Sequence, residues 1–345
     1  CCGARTEPNM PEDDRRTPVT IVTGFLGAGK TTLINHILRT NHGKRVAIIE
    51  NEFGEVGVDD GLVVETKEEI FEMNNGCICC TVRGDLIRIL GKLMNRRERF
   101  DAIVIETTGL ADPAPVAQTF FVDDELKEQL YLDAILTVAD AKHLGSHLDE
   151  VKPDGVENES VEQVAFADKI LLNKVDLVTP EEKTALVSKI RGINSRAAVI
   201  ECVDARVDVG EVLGIRAFDL AVACDFDEEF LNVEGEHRHD ESVTSVGMRV
   251  PGAMAIAELN GWLTRLLRTK GEDIFRSKGI LRVAGSDERV VFQGVHMTME
   301  MASSAAGKVA GWKEGETRES RFIFIGRNLD RKELEEGFRA CVAPE

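Results

Sequence analysis

The run VTIVTGFLGAGKTTLINHILRT, residues 19–40, decides how the rest of the chain is read. Its first five residues are mostly β-branched, as suits a strand buried on both faces. Gly24-Phe-Leu-Gly-Ala-Gly29-Lys30-Thr31 then fits the pattern G-x-x-x-x-G-K-[ST], and the residues behind it open a helix. Strand, glycine-rich turn and helix, in that order, make a phosphate-binding loop. Glycines let backbone N–H groups turn inward on an anion, and the helix N-terminus adds a favourable dipole. Gly24, Gly27, Gly29, Lys30, Thr31 and Thr32 are therefore the expected phosphate contacts. Lys30 would reach the β and γ phosphates, and the Thr31 hydroxyl would sit on Mg²⁺.

Working outward, the same grammar repeats. Apolar runs at 45–50 (RVAIIE), 101–106 (DAIVIE), 133–140 (DAILTVAD), 169–173 (KILLN) and 197–201 (AAVIE) are separated by helix-like stretches. That alternation implies an α/β fold, a P-loop NTPase parallel sheet flanked by helices, over residues 18–224. Two of these runs end on chemistry. Glu106-Thr-Thr-Gly109 supplies a carboxylate that can hold Mg²⁺ through water and an N–H at Gly109 that can sense a γ-phosphate. Asn173-Lys174-Val-Asp176 ends on a carboxylate that can accept both the N1–H and exocyclic amine protons of guanine, a pair adenine does not offer. The nucleotide is read as GTP. Lys30, Thr31 and Glu106 are the candidates for the catalytic work, and with no evident water-positioning Gln or arginine finger the intrinsic hydrolysis is expected to be slow.

Residues 1–17 read as a flexible leader and residues 225–242 as an acidic linker. Residues 243–343 follow a different pattern: a strand-like SVTSVGMRV (242–250), then a helix with apolar Ile256, Leu259, Leu263 and Leu266. Strand-like GILRVAG (279–285), RVVFQGV (289–295) and RFIFIG (321–326) come next, and a last helix runs from Arg331 to Cys341. This suggests a smaller α+β domain, with 301–319 as a Gly/Ala/Ser-rich loop. In 345 residues, Lys plus Arg number 42 and Asp plus Glu 61, a net charge of −19 that repels nucleic-acid phosphates. No apolar run approaches the ~20 residues that span a bilayer. Neither nucleic acid nor membrane is an expected partner. Self-association stays open, and the expected compartment is the cytosol, with a plastid stroma as the alternative.

Three of the eight cysteines crowd into Gly76-Cys77-Ile-Cys79-Cys80. Thiolates at Cys77, Cys79 and Cys80 can converge on one soft ion, Zn²⁺ or Cu(I), if the backbone turns tightly, and Asn74-Asn75-Gly76 offers that turn. A closed structural zinc site needs a fourth ligand that the nearby sequence does not provide, so the site is expected to exchange its ion. A redox dithiol and buried apolar cysteines are the competing readings. Glu50, Glu52, Glu55 and Asp59 follow the second apolar run. Glu50 and Glu55 are candidate Mg²⁺ or second-metal ligands, against the plain reading of solvated loop acids. His237 and His239 in the linker are weak candidates, and Cys202, Cys224 and Cys341 read as ordinary buried residues.

Together GFLGAGKTTL (24–33), ENEFGEVGVD (50–59), NGCICC (75–80), ETTGLADP (106–113) and NKVD (173–176) resemble the CobW family of P-loop GTPases, which includes the zinc-regulated GTPase metalloprotein activators. KGILRVAGSDERVVFQGVHM (278–297) and RFIFIGRNLDR (321–331) resemble that family's C-terminal domain. The resemblance implies a GTP-hydrolysing zinc metallochaperone that passes Zn²⁺, held by Cys77, Cys79 and Cys80, to a client metalloenzyme. It also implies that Thr81 to Gly84 approach the nucleotide. Other members serve cobalt, nickel and iron enzymes. A zinc buffer or sensor with a structural nucleotide is the alternative function.

Overall fold

The computed structural model describes residues 16–50, 70–72, 81–95, 100–109, 111–152, 158–218, 243–306, 309–313 and 315–344. Its first sheet is assembled around β1 (Thr17–Thr23), whose residues from Val19 onward are all buried. After β1 come α1 (Lys30–Arg39), β2 (Val46–Glu50), β3 (Ile70–Glu72), α2 (Thr81–Met94) and β4 (Ala102–Glu106). Then follow α3 (Ala114–Val122), α4 (Asp124–Gln129), β5 (Leu130–Asp140), α5 (Leu144–Leu148), α6 (Glu159–Phe166), β6 (Lys169–Asn173), α7 (Pro180–Ile193) and β7 (Ala198–Glu201). The strands lie in the order β3-β2-β4-β1-β5-β6-β7, and every neighbouring pair is parallel. Strands buried on both faces have no polar side to show, which explains their continuous apolar runs. The helix starts carry their own signals. Thr179 and Glu182 form a reciprocal capping box ahead of α7 with Pro180 in its first turn, and the Asn158 side chain accepts from Ser160 N and Val161 N ahead of α6.

A second sheet follows, built from β8 (Val243–Val250), β9 (Ile274–Arg282), β10 (Arg289–Val295), β11 (Thr298–Ser303) and β12 (Ser320–Arg327). Its order is β11-β10-β9-β12-β8, antiparallel throughout. Helices α8 (Ile256–Lys270) and α9 (Arg331–Arg339) cover one face through Leu259, Leu263, Leu267, Phe322, Phe324 and Phe338. Each such fully buried side chain contributes on the order of 1.5–3 kcal/mol. Part of the rest of the sheet meets the first unit. Val243, Phe275, Val295 and Ile325 belong to the same apolar cluster as Phe120 and Phe166, and the Phe166 and Phe275 rings are 5.7 Å apart. Ser245 Oγ donates to Ile193 O at 2.9 Å, closing this contact at α7.

Three details depart from the sequence reading. Residues 301–303 are strand, because Met301 and Ala302 pair with Phe292 and Val291 on β10. Ile256 is 42% exposed and does not belong to the buried stripe of α8, which Leu267 completes. The last helix ends at Arg339, and buried Cys341 beyond it donates its thiol to Gly337 O. Among the described residues, no helix is long and apolar enough to cross a membrane.

Candidate functional site

The C-terminal ends of β1, β4, β5 and β6 converge where a parallel sheet of this order places its ligands. Between β1 and α1 the chain turns through Gly24, Gly27 and Gly29 at φ of 138°, 77° and 112°, a region L side chains rarely enter. Gly24 is fixed twice over, since a Cβ there would lie 2.1 Å from Val138 O on β5. Gly29 is the N-cap of α1 and brings no side-chain cap, and the first-turn N–H groups of a helix are a natural place for an anion. Lys30, buried, donates from Nζ to Gly24 O at 2.8 Å and to Phe25 O at 3.3 Å. It thus lies along the loop whose phosphates it is expected to meet. Thr31 and Thr32 occupy the first turn of α1, as the motif requires.

The Asn173-Lys174-Val-Asp176 segment is tied directly to this loop. Asn173, the last residue of β6, donates Nδ2 to Ala28 O at 2.9 Å. Its Oδ1 accepts from Ala205 N at 2.9 Å and from the Cys202 thiol. One buried amide therefore joins the phosphate loop to the loop after β7. Lys174 follows with φ of 60°, reaching back so that Nζ donates to Gly27 O at 2.8 Å and pairs with Asp140 at 2.7 Å. Asp176, the expected guanine contact, sits in the short 3-10 turn Val175–Leu177 and is exposed.

Sequence reasoning missed Asp140, the 202–205 loop and Gln163. Burial works against the charge on Asp140, but Lys174, His143 and the Lys142 N–H outweigh it and hold its carboxyl below the ordinary value of 3.8. Its only local signal was an acid at the end of an apolar strand. The Cys202 thiol is pushed up to about 11 by burial, which suits a packing residue and not a metal ligand.

The segment from Glu106 to Gly109 is positioned from both sides. Thr107 N donates to Val22 O at 2.9 Å and Thr107 Oγ1 to Thr23 Oγ1 at 2.9 Å, fastening it to β1. Gln163 Nε2 on α6 donates to Gly109 O at 3.1 Å and to Ala111 O at 3.4 Å. Gly109 touches the phosphate loop closely enough that a Cβ would meet Leu26 N at 2.7 Å. Glu106 lies in register with Val22 on β1 and with Glu50 on β2, so the two glutamates end adjacent strands about 4.8 Å apart. The hydroxyl of Thr31 and the carboxylates of Glu106 and Glu50 are oxygen donors of the hard type that Mg²⁺ takes.

Cys77, Cys79, Cys80, Glu52, Glu55, Asp59, Cys224, His237 and His239 lie outside the described residues. Their flanks are described. Glu72 at the end of β3 is in register with Glu50, and α2 begins at Thr81. β3 thus ends at the same end of the sheet as β1, from which the phosphate loop departs, three strands away, roughly 14 Å in lateral spacing. Gly84 on the first turn of α2 is exposed, and a Cβ there would meet nothing within 4 Å. Among the described residues, no three of His, Cys, Asp and Glu are grouped to hold a metal ion.

Both units of the chain have counterparts among known proteins. Residues 18–201 match the CobW/HypB/UreG nucleotide-binding domain, and residues 243–342 match the cobalamin synthesis protein cobW C-terminal domain. The chain belongs to the CobW/HypB/UreG family. Within this family it is 34% identical to the zinc chaperone YjiA of Escherichia coli K12, over 93% of this chain and 97% of that protein. It is 35% identical to the zinc-regulated GTPase metalloprotein activator 1 of Schizosaccharomyces pombe, over 91% of this chain and 83% of that one. The crystal structure of Zn(II)-bound YjiA GTPase from E. coli superposes with a TM-score of 0.73 at 28% identity, covering 95% of this chain and 99% of that one. A CobW/HypB/UreG member is thereby established in sequence and fold together, with its C-terminal domain of the cobW type.

Proposed function

We propose that this chain is a GTP-hydrolysing zinc metallochaperone, which couples GTP + H₂O → GDP + phosphate to the transfer of Zn²⁺ to a client metalloenzyme. The observation that carries the nucleotide half is the pair of bonds from Asn173 to Ala28 O and from Lys174 to Gly27 O. They weld a guanine-type reader to a phosphate loop, so that base and phosphates are recognised as one rigid object. The zinc half is supported by Cys77, Cys79 and Cys80 in sequence and by relatives named for zinc.

In this reading residues 18–224 are the GTPase unit, and residues 243–343 recognise the client or another copy. The loop N–H groups and Lys30 neutralise the phosphates, Gly24, Gly27 and Gly29 shape the cradle, and Thr32 and the start of α2 (Thr81, Gly84) flank it. Asp176 reads guanine and Gly109 reports the γ-phosphate. Mg²⁺, when bound, spreads the developing phosphate charge, held by Thr31 with Glu106 and, on the neighbouring strand, Glu50, with Glu55 a further candidate. Zn²⁺ is cargo. β4, which leads to Gly109, and β3, which precedes the cysteines in sequence, end at the same end of the sheet, which supports a shared two-state element that GTP orders and hydrolysis releases. The natural setting for thiolate exchange is a reducing compartment, cytosol or plastid stroma.

The test is Lys30→Ala in zinc-loaded protein. GTP binding and client activation are expected to disappear while zinc stays bound at wild-type stoichiometry. Client activation that persists without nucleotide binding would make the protein a zinc buffer or sensor instead.

A further inference from the structure

The opposite edge of the first sheet carries a second charged constellation. Asp168, just before β6, accepts from Ile135 N through Oδ2 at 2.9 Å. Its Oδ1 takes Arg276 and, at 3.4 Å, Lys278, both from β9 of the second sheet. Arg276 Nη1 also donates to Phe166 O at 2.7 Å, and Lys278 Nζ to Ala217 O at 3.3 Å. Arg196, from the turn between α7 and β7, lines the same cavity of about 170 Å³ with Asp168, Arg276, Ser277 and Lys278. Asp168, Arg276 and Lys278 side chains are only 4%, 5% and 12% exposed, so water solvates these charges poorly.

Among the described residues, three cations thus line this cavity beside one carboxylate whose two oxygens are already engaged. Burial first, then Arg276 and Arg196 against the help of Asp168, pull Lys278 down to about 7. A lysine so placed titrates near neutrality, and a further negative charge beside it would favour its protonated form. The place lies at the start of β6, while the nucleotide site lies at its end, about 16 Å along the strand. It is therefore separate from the phosphate loop and does not rest on the GTPase reading.

We propose that this cavity binds a small tetrahedral oxyanion of the sulfate or phosphate class, gripped by Arg196 from the first unit and by Arg276 and Lys278 from the second. Guanidinium groups present N–H pairs in the geometry such oxygens accept. Among the described residues, Lys278 has acceptors for two of its three N–H groups, Asp168 and Ala217 O, and the anion takes the third. The bound anion spans the contact between the two sheets and holds them together.

The test is calorimetric titration of sulfate, which does not titrate near neutrality, into GDP·Mg²⁺-saturated protein at constant ionic strength, with chloride as control. One sulfate per chain is expected, tighter at pH 6.5 than at pH 8.5, with proton uptake at the higher pH revealed by buffers of different ionisation heat. Lys278→Met should weaken it by about tenfold or more, the loss of a charge-assisted bond, and Arg196→Gln should weaken it less. Lys278→Arg, which keeps its charge, should bind with little pH dependence and serves if the Met variant fails to fold. No saturable heat beyond the chloride control, or affinity unchanged in both Arg196→Gln and Lys278→Met, would overturn the proposal. So would a pH dependence in Lys278→Arg as steep as in the wild type.

Discussion

Replacing Asn173 with Ala tests whether the weld between the two loops serves binding or only folding. Asn173 is 2% exposed, and its amide satisfies two backbone groups, Ala28 O and Ala205 N, each at 2.9 Å. A buried backbone group left without its partner costs about 1–3 kcal/mol. With two such groups, and water admitted to part of the space, the unfolding free energy should fall by about 2–4 kcal/mol. Should the weld also preorganise the site, GDP must restore the register of the phosphate loop each time it binds. One lost hydrogen bond's worth of order, about 1.4–2.8 kcal/mol, then weakens GDP by about 10- to 100-fold. Urea unfolding gives the first quantity, and titration with a fluorescent GDP analogue gives the second. A variant destabilised as expected but binding GDP within twofold of the wild type would refute the preorganisation argument, because the bond would then matter to folding alone.

Asp140→Asn should loosen Lys174 and weaken GDP by up to about fivefold, the upper end for a partly exposed charge pair. Because the Asp140 carboxyl is held below 3.8 in the folded protein, its contribution is complete at neutral pH and disappears as pH falls below that value. Thermal melts of wild type and variant should therefore differ at pH 7 and converge under acid. Gln163→Leu removes the tether on Gly109 O and Ala111 O, and single-turnover assays should show slower GTP hydrolysis with GDP affinity little changed. Cys202 and Cys341, both nearly fully buried, should resist iodoacetamide in the native protein at pH 8. Mass spectrometry should find them labelled only after denaturation.

Much of the first sheet was legible because its signals are local. A β-branched run beside G-x-x-x-x-G-K-[ST], or before Asn-Lys-x-Asp, declares strand, turn and chemistry within a dozen residues. What escaped depends on long-range pairing. Gln163 meets Gly109 across 54 residues, Asn173 meets Ala28 across 145, and Arg276 meets Asp168 across 108. No window of sequence contains both partners of such a bond. Residues 301–303 look like loop by composition, and only the register against Phe292 and Val291 makes them strand. Ile256 fits the apolar spacing of a buried stripe, yet it is the first residue of α8 and stands 42% exposed.

The central claim is that the nucleotide governs how firmly Cys77, Cys79 and Cys80 hold zinc. Competitive zinc titrations against a chromogenic chelator, on apo, GDP-bound and GTP-analogue-bound protein, measure it directly. The zinc dissociation constant should differ between the GDP and GTP-analogue forms by about fivefold or more, the lower end of ordinary site-to-site coupling. Equal constants in all three states would contradict it.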